Sequence, residues 1–223
     1  LVQGHRLEAA PWRALFCPPV SRPMNQRPDQ KNFKFQLRRD LRRRRGSIDR
    51  AGRIARDTEI NAHLVSLVRQ QAFGRVAAYL AFDGEPDLEP GLLELAAAGV
   101  DLALPVVHEA PGRDFITFRS WAPGEELRAN RFGILEPAHG NELPIPSIDL
   151  TLVPLVGWDR SGGRLGMGAS FYDRAFQPFA SQPKPLRMGV AYSVQECSDI
   201  PQEPWDIRLH AMLTENGWFT CDG

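Results

Sequence analysis

The sequence predicts an α/β fold, a three-layer arrangement with a mostly parallel central sheet flanked by helices. Short apolar segments alternate along the chain with segments of helical periodicity, which is typical of a parallel sheet covered by helices. A glycine-rich loop directly follows one of the apolar segments, where such sheets usually bind ligands. With 223 residues, 43% hydrophobic and 24% charged, the chain can bury a core of its own.

Two helices are predicted first. The first begins near Lys31, and Leu37 and Leu41 lie four residues apart on one of its faces. Gly46 and Ser47 interrupt this pattern, and the Ser47 side chain is expected to cap the second helix. The apolar stripe of that second helix is Ile54, Ile60, Leu64, Leu67 and Val68.

The remainder of the chain reads as alternating strands and helices. A helix is expected over residues 88–98, where Gly99 occupies the position of a C-terminal glycine. Another is expected from about Ser170 to Phe179. The predicted strands cover residues 76–81, 102–107, 115–118, 149–156 and 187–192.

Residues 1–30 are predicted to be a disordered or upstream extension, before a single α/β domain over residues 31–223. The extension lacks the continuous apolar core of a signal peptide, and Met24 is the expected natural start. The sequence contains no apolar run of about 18 residues, as a membrane span requires. The three cysteines are odd in number and far apart, so a reducing, cytoplasmic compartment is expected.

Charge is distributed unevenly although the whole chain is neutral. Residues 1–56 carry 15 Lys and Arg against 4 Asp and Glu, a formal charge of +11, and the remainder carries −11. The basic segment is expected to meet an anion: a nucleotide, a nucleic acid or the acidic remainder of the chain. The arginines of residues 42–45 point around the whole helix. They are interpreted as a solvated face or the partner of an acid rather than as a nucleic-acid patch.

The segment with the clearest chemistry follows the strand over residues 149–156. Its glycines let backbone N–H groups approach an anion, and the next helix adds unpaired N–H donors. Arg164 can offer a planar fork to phosphate oxygens, and Asp173, near the start of the helix, could hold Mg²⁺. The loop matches neither the P-loop nor the dinucleotide motif. On loop chemistry alone, phosphate binding and a plain surface turn both stay open.

Several motifs in order make the sequence recognisable. Arg164-Leu-Gly-Met-Gly-x-x-Phe-Tyr-Asp173-Arg174, after Val-Pro-Leu-Val-Gly-Trp-Asp, resembles the signature of the 5-formyltetrahydrofolate cyclo-ligase family, also called methenyltetrahydrofolate synthetases. The resemblance covers about residues 31–219, and several ordered motifs are more specific than one. The other matching motifs are Lys34-x-x-x-Arg38, Tyr79-Leu-Ala-Phe-Asp-Gly-Glu85, Leu104-Pro-Val-Val, Trp121-x-Pro-Gly, Asn130-Arg-Phe-Gly-Ile-Leu-Glu-Pro137, Trp205-Asp206 and Leu213-Thr-Glu215.

The resemblance implies a ligase reaction: ATP-dependent conversion of 5-formyltetrahydrofolate to 5,10-methenyltetrahydrofolate, with release of ADP and phosphate. Phosphorylation of the formyl oxygen makes it a good leaving group, and N10 then attacks the same carbon. The protein must mainly position the reactants and neutralise charge. No protein nucleophile is required, and the sequence shows no Ser-His-Asp or Cys-His constellation. The implied partners are ATP and the folate, without nucleic acid or membrane, and a monomer is expected.

The resemblance also implies roles for individual residues. Lys34 and Arg38, one helical turn apart, would contact the ATP phosphates. Leu80 and Glu85 would line the folate site. Mg²⁺ would lie at Asp173 and Asp206. The ATP loop would comprise Arg164, Leu165, Gly166, Met167, Gly168, Ala169, Ser170, Phe171 and Tyr172.

One departure from the family pattern lies in this loop, where Ala169 and Ser170 replace glycines. A positive φ at Ser170 would carry a steric cost. Two alternatives to the cyclo-ligase therefore stay open. One is a non-catalytic basic module that binds nucleotides or nucleic acid, and the other is a family relative that activates another formyl or amide substrate.

Overall fold

A mostly parallel eight-stranded sheet lies at the centre of the structure, a computed structural model that describes residues 30–182 and 184–222. The α-helices among these residues are α1 (Gln30–Gly46), α2 (Arg50–Gln71), α3 (Glu89–Ala97) and α4 (Phe171–Phe176). The strands are β1 (Arg75–Ala77), β2 (Asp101–His108), β3 (Phe115–Ser120), β4 (Leu127–Ala129), β5 (Leu135–Pro137), β6 (Glu142–Leu143), β7 (Leu150–Pro154), β8 (Gly157–Trp158), β9 (Arg164–Leu165), β10 (Leu186–Val190), β11 (Ala211–Thr214) and β12 (Gly217–Thr220).

The order of the strands in the main sheet is β12-β11-β10-β7-β1-β2-β3-β6. The five central strands from β11 to β2 are parallel, and antiparallel strands close both edges. Val76 of β1 pairs with Leu102 of β2 on one side and with Leu150 of β7 on the other. The carboxyl ends of the parallel strands therefore meet at one edge of the sheet, and the predicted fold class is confirmed.

Helices cover both faces of this sheet. Neighbouring residues of a strand point to opposite faces, and Val76 and Ala77 accordingly belong to different apolar clusters. Leu64 of α2 and Leu92 of α3 are buried in the cluster of Val76. Phe176 of α4 is buried in the cluster of Ala77. The result is a helix–sheet–helix arrangement in three layers.

α1 docks onto this body chiefly through one leucine. Leu41 is fully buried in a third cluster with Val156, Leu165 and Ile200, and burial of a leucine contributes about 1.5–3 kcal/mol. Gly157 permits the approach, because a Cβ at that position would lie 2.3 Å from Leu41 Cδ1. The helical period places three basic residues on the same face of α1 as Leu41. They are Lys34, Arg38 and Arg45.

The turn between α1 and α2 differs from the prediction. Asp49 caps α2, since its Oδ1 accepts a hydrogen bond from Gly52 N at 2.7 Å. Ser47 instead ends α1, where its hydroxyl donates to the Arg44 carbonyl at 2.8 Å. Ile54 is 58% exposed and does not belong to the apolar stripe of α2. The other four residues of the predicted stripe are buried.

Three further features depart from the predicted elements. β1 ends at Ala77 rather than near residue 81, and beyond it Ala78 N still donates to the Ala103 carbonyl at 2.8 Å. The glycine-rich stretch over residues 157–168 contains the β8–β9 hairpin. The predicted strands also omit the ribbon of β4 and β5, strand β6, and the hairpin of β11 and β12.

The prediction that residues 1–30 form an extension, and the proposed start at Met24, lie outside the described residues except for Gln30, which begins α1. Among residues 30–182 and 184–222, none of the helices combines the length and the apolar character needed to cross a membrane.

Candidate active site

Charged side chains from three parts of the chain meet beside the sheet. α1 supplies cations, the loop after β9 runs into α4, and the segment over residues 203–207 precedes β11. Open α/β sheets bind ligands outside the carboxyl ends of their strands. The carboxyl end of β7 leads directly into the β8–β9 hairpin, which brings the loop to this edge.

α1 contributes Lys34 and Arg38, which contact different parts of the site. Lys34 Nζ lies 3.1 Å from Asp206 Oδ2 and 3.7 Å from Glu203 Oε1. Arg38 Nε donates to the Gly166 carbonyl at 2.7 Å. Burial lowers the pKa of Arg38, and the charge of Asp206 opposes that shift. The two cations thus connect α1 with the loop and with the segment before β11.

Arg164 and Asp173 form a part-buried ion pair. Arg164 Nη2 lies 2.5 Å from Asp173 Oδ1, and the side chains are 8% and 14% exposed. Both residues also bind the backbone of Ile207: Arg164 Nη1 donates to its carbonyl, and its N–H donates to Asp173 Oδ1 at 3.0 Å. Since Ile207 follows Asp206 in the chain, the ion pairs Arg164–Asp173 and Lys34–Asp206 belong to one charged cluster.

The carboxylates of Asp173 and Asp206 are of the donor type that Mg²⁺ uses when a phosphate ligand shares the ion. Their hydrogen bonds use Asp173 Oδ1 and Asp206 Oδ2. Within the described part of the chain, the second oxygen of each carboxylate accepts no hydrogen bond. Mg²⁺ commonly binds one or two carboxylates together with phosphates and waters. Residues 30–182 and 184–222 contain no group of three or more His, Cys, Asp or Glu suited to a metal held by protein alone.

The loop between β9 and α4 has an exposed, irregular backbone. Gly168 adopts φ +112°, a conformation that glycine adopts readily, whereas Gly166 does not have a positive φ. Ser170 precedes α4 with φ +50° and ψ +32°, so the positive φ considered for this residue is present. Arg174 Nη1 donates to the Ala169 carbonyl at 2.7 Å and holds the turn. The loop geometry therefore contains a strained residue.

Replacing Ser170 by glycine should stabilise the protein. The left-handed conformation costs a non-glycine residue about 1–2 kcal/mol, part of which is offset by the entropy that glycine loses on folding. We expect a net gain of about 0.5–1 kcal/mol, and a rise in Tm of about 1–4 °C in thermal unfolding. Ala169→Gly is the matched control, since Ala169 has no positive φ, and it should lower Tm slightly. A lower Tm for Ser170→Gly would contradict the assignment of strain.

Phe171 and Tyr172 point to different surroundings. The Phe171 ring meets Phe132 edge-on, with centroids 6.0 Å apart. Tyr172 packs beside Phe118, with centroids 6.4 Å apart, and its buried hydroxyl has no hydrogen-bond partner in the part of the chain that the structure describes. Burial raises the pKa of Tyr172, and the charge of Glu85 adds to this shift. Tyr172 therefore offers an unused hydroxyl within electrostatic reach of Glu85.

Glu85 lies on the loop that follows β1. Its Oε2 accepts a hydrogen bond from Phe82 N at 3.1 Å. Burial raises the pKa of Glu85 to about 7, against the opposing influence of that hydrogen bond and of Arg45. Leu80, on the same loop, packs partly buried against the core of the sheet. A carboxyl that titrates near neutral pH at this edge is a candidate ligand-binding group.

The structure places the predicted site residues in different surroundings: a charged cluster, a second group with Glu85, a residue beneath the loop and an exposed part of the loop. The charged cluster contains Lys34, Arg38, Arg164, Asp173 and Asp206. Tyr172 and Glu85 form the second group. Leu165 is 2% exposed and packs beneath α1, so it supports the loop. Met167, Gly168 and Ala169 are exposed.

Arg45 also lies near the site, although no separate role for it was predicted from the sequence. It is 2% exposed, and its Nη2 donates to the Asp83 carbonyl at 2.6 Å and to Asp83 Oδ2 at 3.0 Å. Arg42 Nη2 lies 2.6 Å from the same Oδ2. Part of the arginine run thus meets an acid, one of the interpretations stated above. The spacing from Lys34 and Arg38 along one face of α1 is the signal that could have identified Arg45.

Comparison with protein families gives a match over most of the chain. The profile of the 5-formyltetrahydrofolate cyclo-ligase family matches residues 30–215. A 5-formyltetrahydrofolate cyclo-ligase from Haemophilus influenzae is 31% identical over 180 residues, which cover 80% of this chain and 95% of the relative. One from Escherichia coli is 39% identical over 144 residues, covering 62% and 76%.

Solved structures give the same grouping. The NMR structure of Aquifex aeolicus 5,10-methenyltetrahydrofolate synthetase superimposes with a TM-score of 0.72 at 30% sequence identity. That match covers 86% of this chain and 94% of the other.

Proposed function

Since the chain belongs to the 5-formyltetrahydrofolate cyclo-ligase family, we propose that it converts 5-formyltetrahydrofolate to 5,10-methenyltetrahydrofolate with ATP as co-substrate. The observation that carries the proposal is the charged cluster. Two cations of α1, Lys34 and Arg38, and Arg164 of β9 lie around a glycine-containing loop and two carboxylates. A site of this kind suits a polyphosphate, whose negative charge must be neutralised from several sides.

The proposed reaction has two chemical stages. In the first, the γ-phosphoryl group passes from ATP to the formyl oxygen, the bond to the β-phosphate breaks, and ADP is formed. In the second, N10 attacks the formyl carbon and loses its proton, and the carbon–oxygen bond breaks as phosphate departs. The oxygen of the formyl group therefore leaves in the released phosphate. Both stages need close positioning of reactants and charge neutralisation rather than a protein nucleophile.

The cations and the loop would bind the phosphates of ATP. Lys34 and Arg38 would exchange their present partners for phosphate oxygens, and Arg164 can present two parallel N–H donors to one phosphate. Gly168 would allow the loop backbone to approach the phosphates. Glu85 would accept hydrogen bonds from the folate, with Leu80 against its apolar surface.

Asp173 and Asp206 would hold Mg²⁺ through the carboxylate oxygens that accept no hydrogen bond in the described structure. The ion would supply positive charge where ADP and phosphate develop negative charge. Because Mg²⁺ would neutralise the two carboxylates, Arg164 and Lys34 would be free to contact phosphate oxygens. The present ion pairs keep each of these four groups neutralised by a neighbour.

The direct test is an absorbance assay for the methenyl product with the purified chain, Mg-ATP and 5-formyltetrahydrofolate. We expect product formation that requires ATP and releases one ADP per methenyl group formed. Omission of either substrate is the control. ATP hydrolysis stimulated only by a different formyl or amide compound would favour a relative with another substrate. Absence of any ATP-dependent product would contradict the proposal.

A further inference from the structure

The loop that carries Glu85 is held from the side of α1 by a buried arginine. The guanidinium of Arg45 is almost inaccessible, and its Nη2 makes both hydrogen bonds to Asp83. Its Nη1 is also buried and has no hydrogen-bond partner among residues 30–182 and 184–222. A buried cation with an unused donor is costly unless it serves a ligand or a neighbouring charge.

The conformation of this loop needs such support. Asp83 and Gly84 adopt consecutive left-handed conformations, with φ +51° and +80°. Asp83 carries a steric cost there that the surrounding structure must hold in place. The guanidinium of Arg53 closes over Gly84, since a Cβ on Gly84 would lie 2.8 Å from Arg53 Nη1. Glu85 N then donates to the Phe82 carbonyl at 3.1 Å and completes the turn.

The positive charge of Arg45 also acts on the carboxyl group of Glu85. Besides burial, the groups that influence the carboxyl are the Phe82 N–H and the Asp83 charge from its own loop, and Arg45 from α1. The charge of Glu85 in turn raises the pKa values of Tyr79 and Tyr172. Among the groups that act on Glu85, Arg45 is the cation that favours its ionised form. The same side chain therefore fixes the backbone before Glu85 and stabilises the charge of its carboxylate.

We propose that Arg45 is a positioning residue for the folate site: its buried guanidinium fixes the Asp83–Gly84 turn and thereby the place and charge of the Glu85 carboxylate. This inference rests on the proposed function, because the role of Glu85 toward the folate belongs to that proposal. It makes the end of α1 part of the folate site and the start of α1 part of the ATP site. One helix would then align the two substrates.

The test compares Arg45→Met, which removes the cation at similar volume, with Arg45→Lys, which keeps the charge. Arg43→Met is the matched control, because the Arg43 side chain is 80% exposed and pairs with Asp40 on its own helix. For Arg45→Met we expect the KM for 5-formyltetrahydrofolate to rise about tenfold or more while the KM for ATP stays within about twofold. Arg45→Lys should also raise the folate KM, since both contacts with Asp83 come from Nη2 and the lysine side chain is one atom shorter.

A second readout does not depend on activity. Carboxyl NMR titration of the ligand-free protein, with Glu85→Gln to assign the resonance, should show a higher pKa for Glu85 in Arg45→Met. Arg45→Lys should return that pKa toward the wild-type value, and Arg43→Met should leave it unchanged. The proposal would be overturned if Arg45→Met left the pKa of Glu85 unchanged and raised the KM values for the folate and for ATP equally. A wild-type folate KM in Arg45→Met would also overturn it. If the wild-type chain forms no methenyl product, the proposed function fails, while the titration still decides whether Arg45 controls Glu85.

Discussion

Replacing Asp173 by asparagine should lower kcat/KM for the cyclisation by about 10²–10³-fold, the effect typical of losing one preorganised electrostatic contact. Asparagine can still accept hydrogen bonds from Arg164 and from Ile207 N, but it lacks the charge that would hold Mg²⁺ in the proposed site. Tm should therefore fall by only a few degrees, while the Mg²⁺ concentration needed for half-maximal activity should rise. Product absorbance at varied Mg²⁺ and calorimetry measure the two effects.

Alanine at the same position should give a different pattern. It leaves Arg164, which is 8% exposed, without its carboxylate partner, and breaking a buried ion pair on one side costs about 3–5 kcal/mol. Asp173→Ala should thus lose both stability and activity, and it cannot by itself separate the two roles. Asp101→Asn is the control, because Asp101 is 66% exposed at the amino end of β2, away from the site. Wild-type kcat/KM for Asp173→Asn would remove Asp173 from the proposed metal site.

The fold was largely predictable from the sequence because its central strands are continuous apolar runs between helices. Parallel strands buried on both faces leave such runs, as over Leu150–Pro154. The short edge elements carry a weaker signal. β6 and β8 contain two residues each, and their pairing depends on distant partners.

The site residues were predicted in part for a similar reason. Family motifs identify residue types at given positions, and the ion pairs of Lys34 and Arg164 agree with a charged cluster around the loop. The burial of Arg45 follows from tertiary structure. The helical spacing places Arg45 on the same face of α1 as Leu41, but only the docking of Leu41 shows that this face is buried.

Replacing Glu85 by glutamine should lower kcat/KM for 5-formyltetrahydrofolate and remove its pH dependence near neutrality. A hydrogen bond to a charged group contributes about 1.5–3 kcal/mol, which corresponds to a loss of about 10–150-fold. In the wild type, kcat/KM for the folate should rise with pH as Glu85, whose pKa burial raises to about 7, ionises, because in the proposed site the ionised carboxylate would accept hydrogen bonds from the substrate. Steady-state kinetics from pH 5.5 to about 8.5 measure this limb.

The stability of the protein should respond to pH in the opposite direction. Folding raises the pKa of Glu85 from 4.5 to about 7, so in this range the folded state binds more protons than the unfolded state. Stability is therefore lost as the pH rises through this window, and Glu85→Gln should remove that loss. Glu94→Gln is the control, since Glu94 is 54% exposed and paired with Arg69. If kcat/KM of Glu85→Gln still rises through about pH 7, another group titrates there and Glu85 does not belong to the folate site. If that rise is lost and the variant is also relatively more stable at high pH, one carboxyl accounts for the pH dependence of both activity and stability.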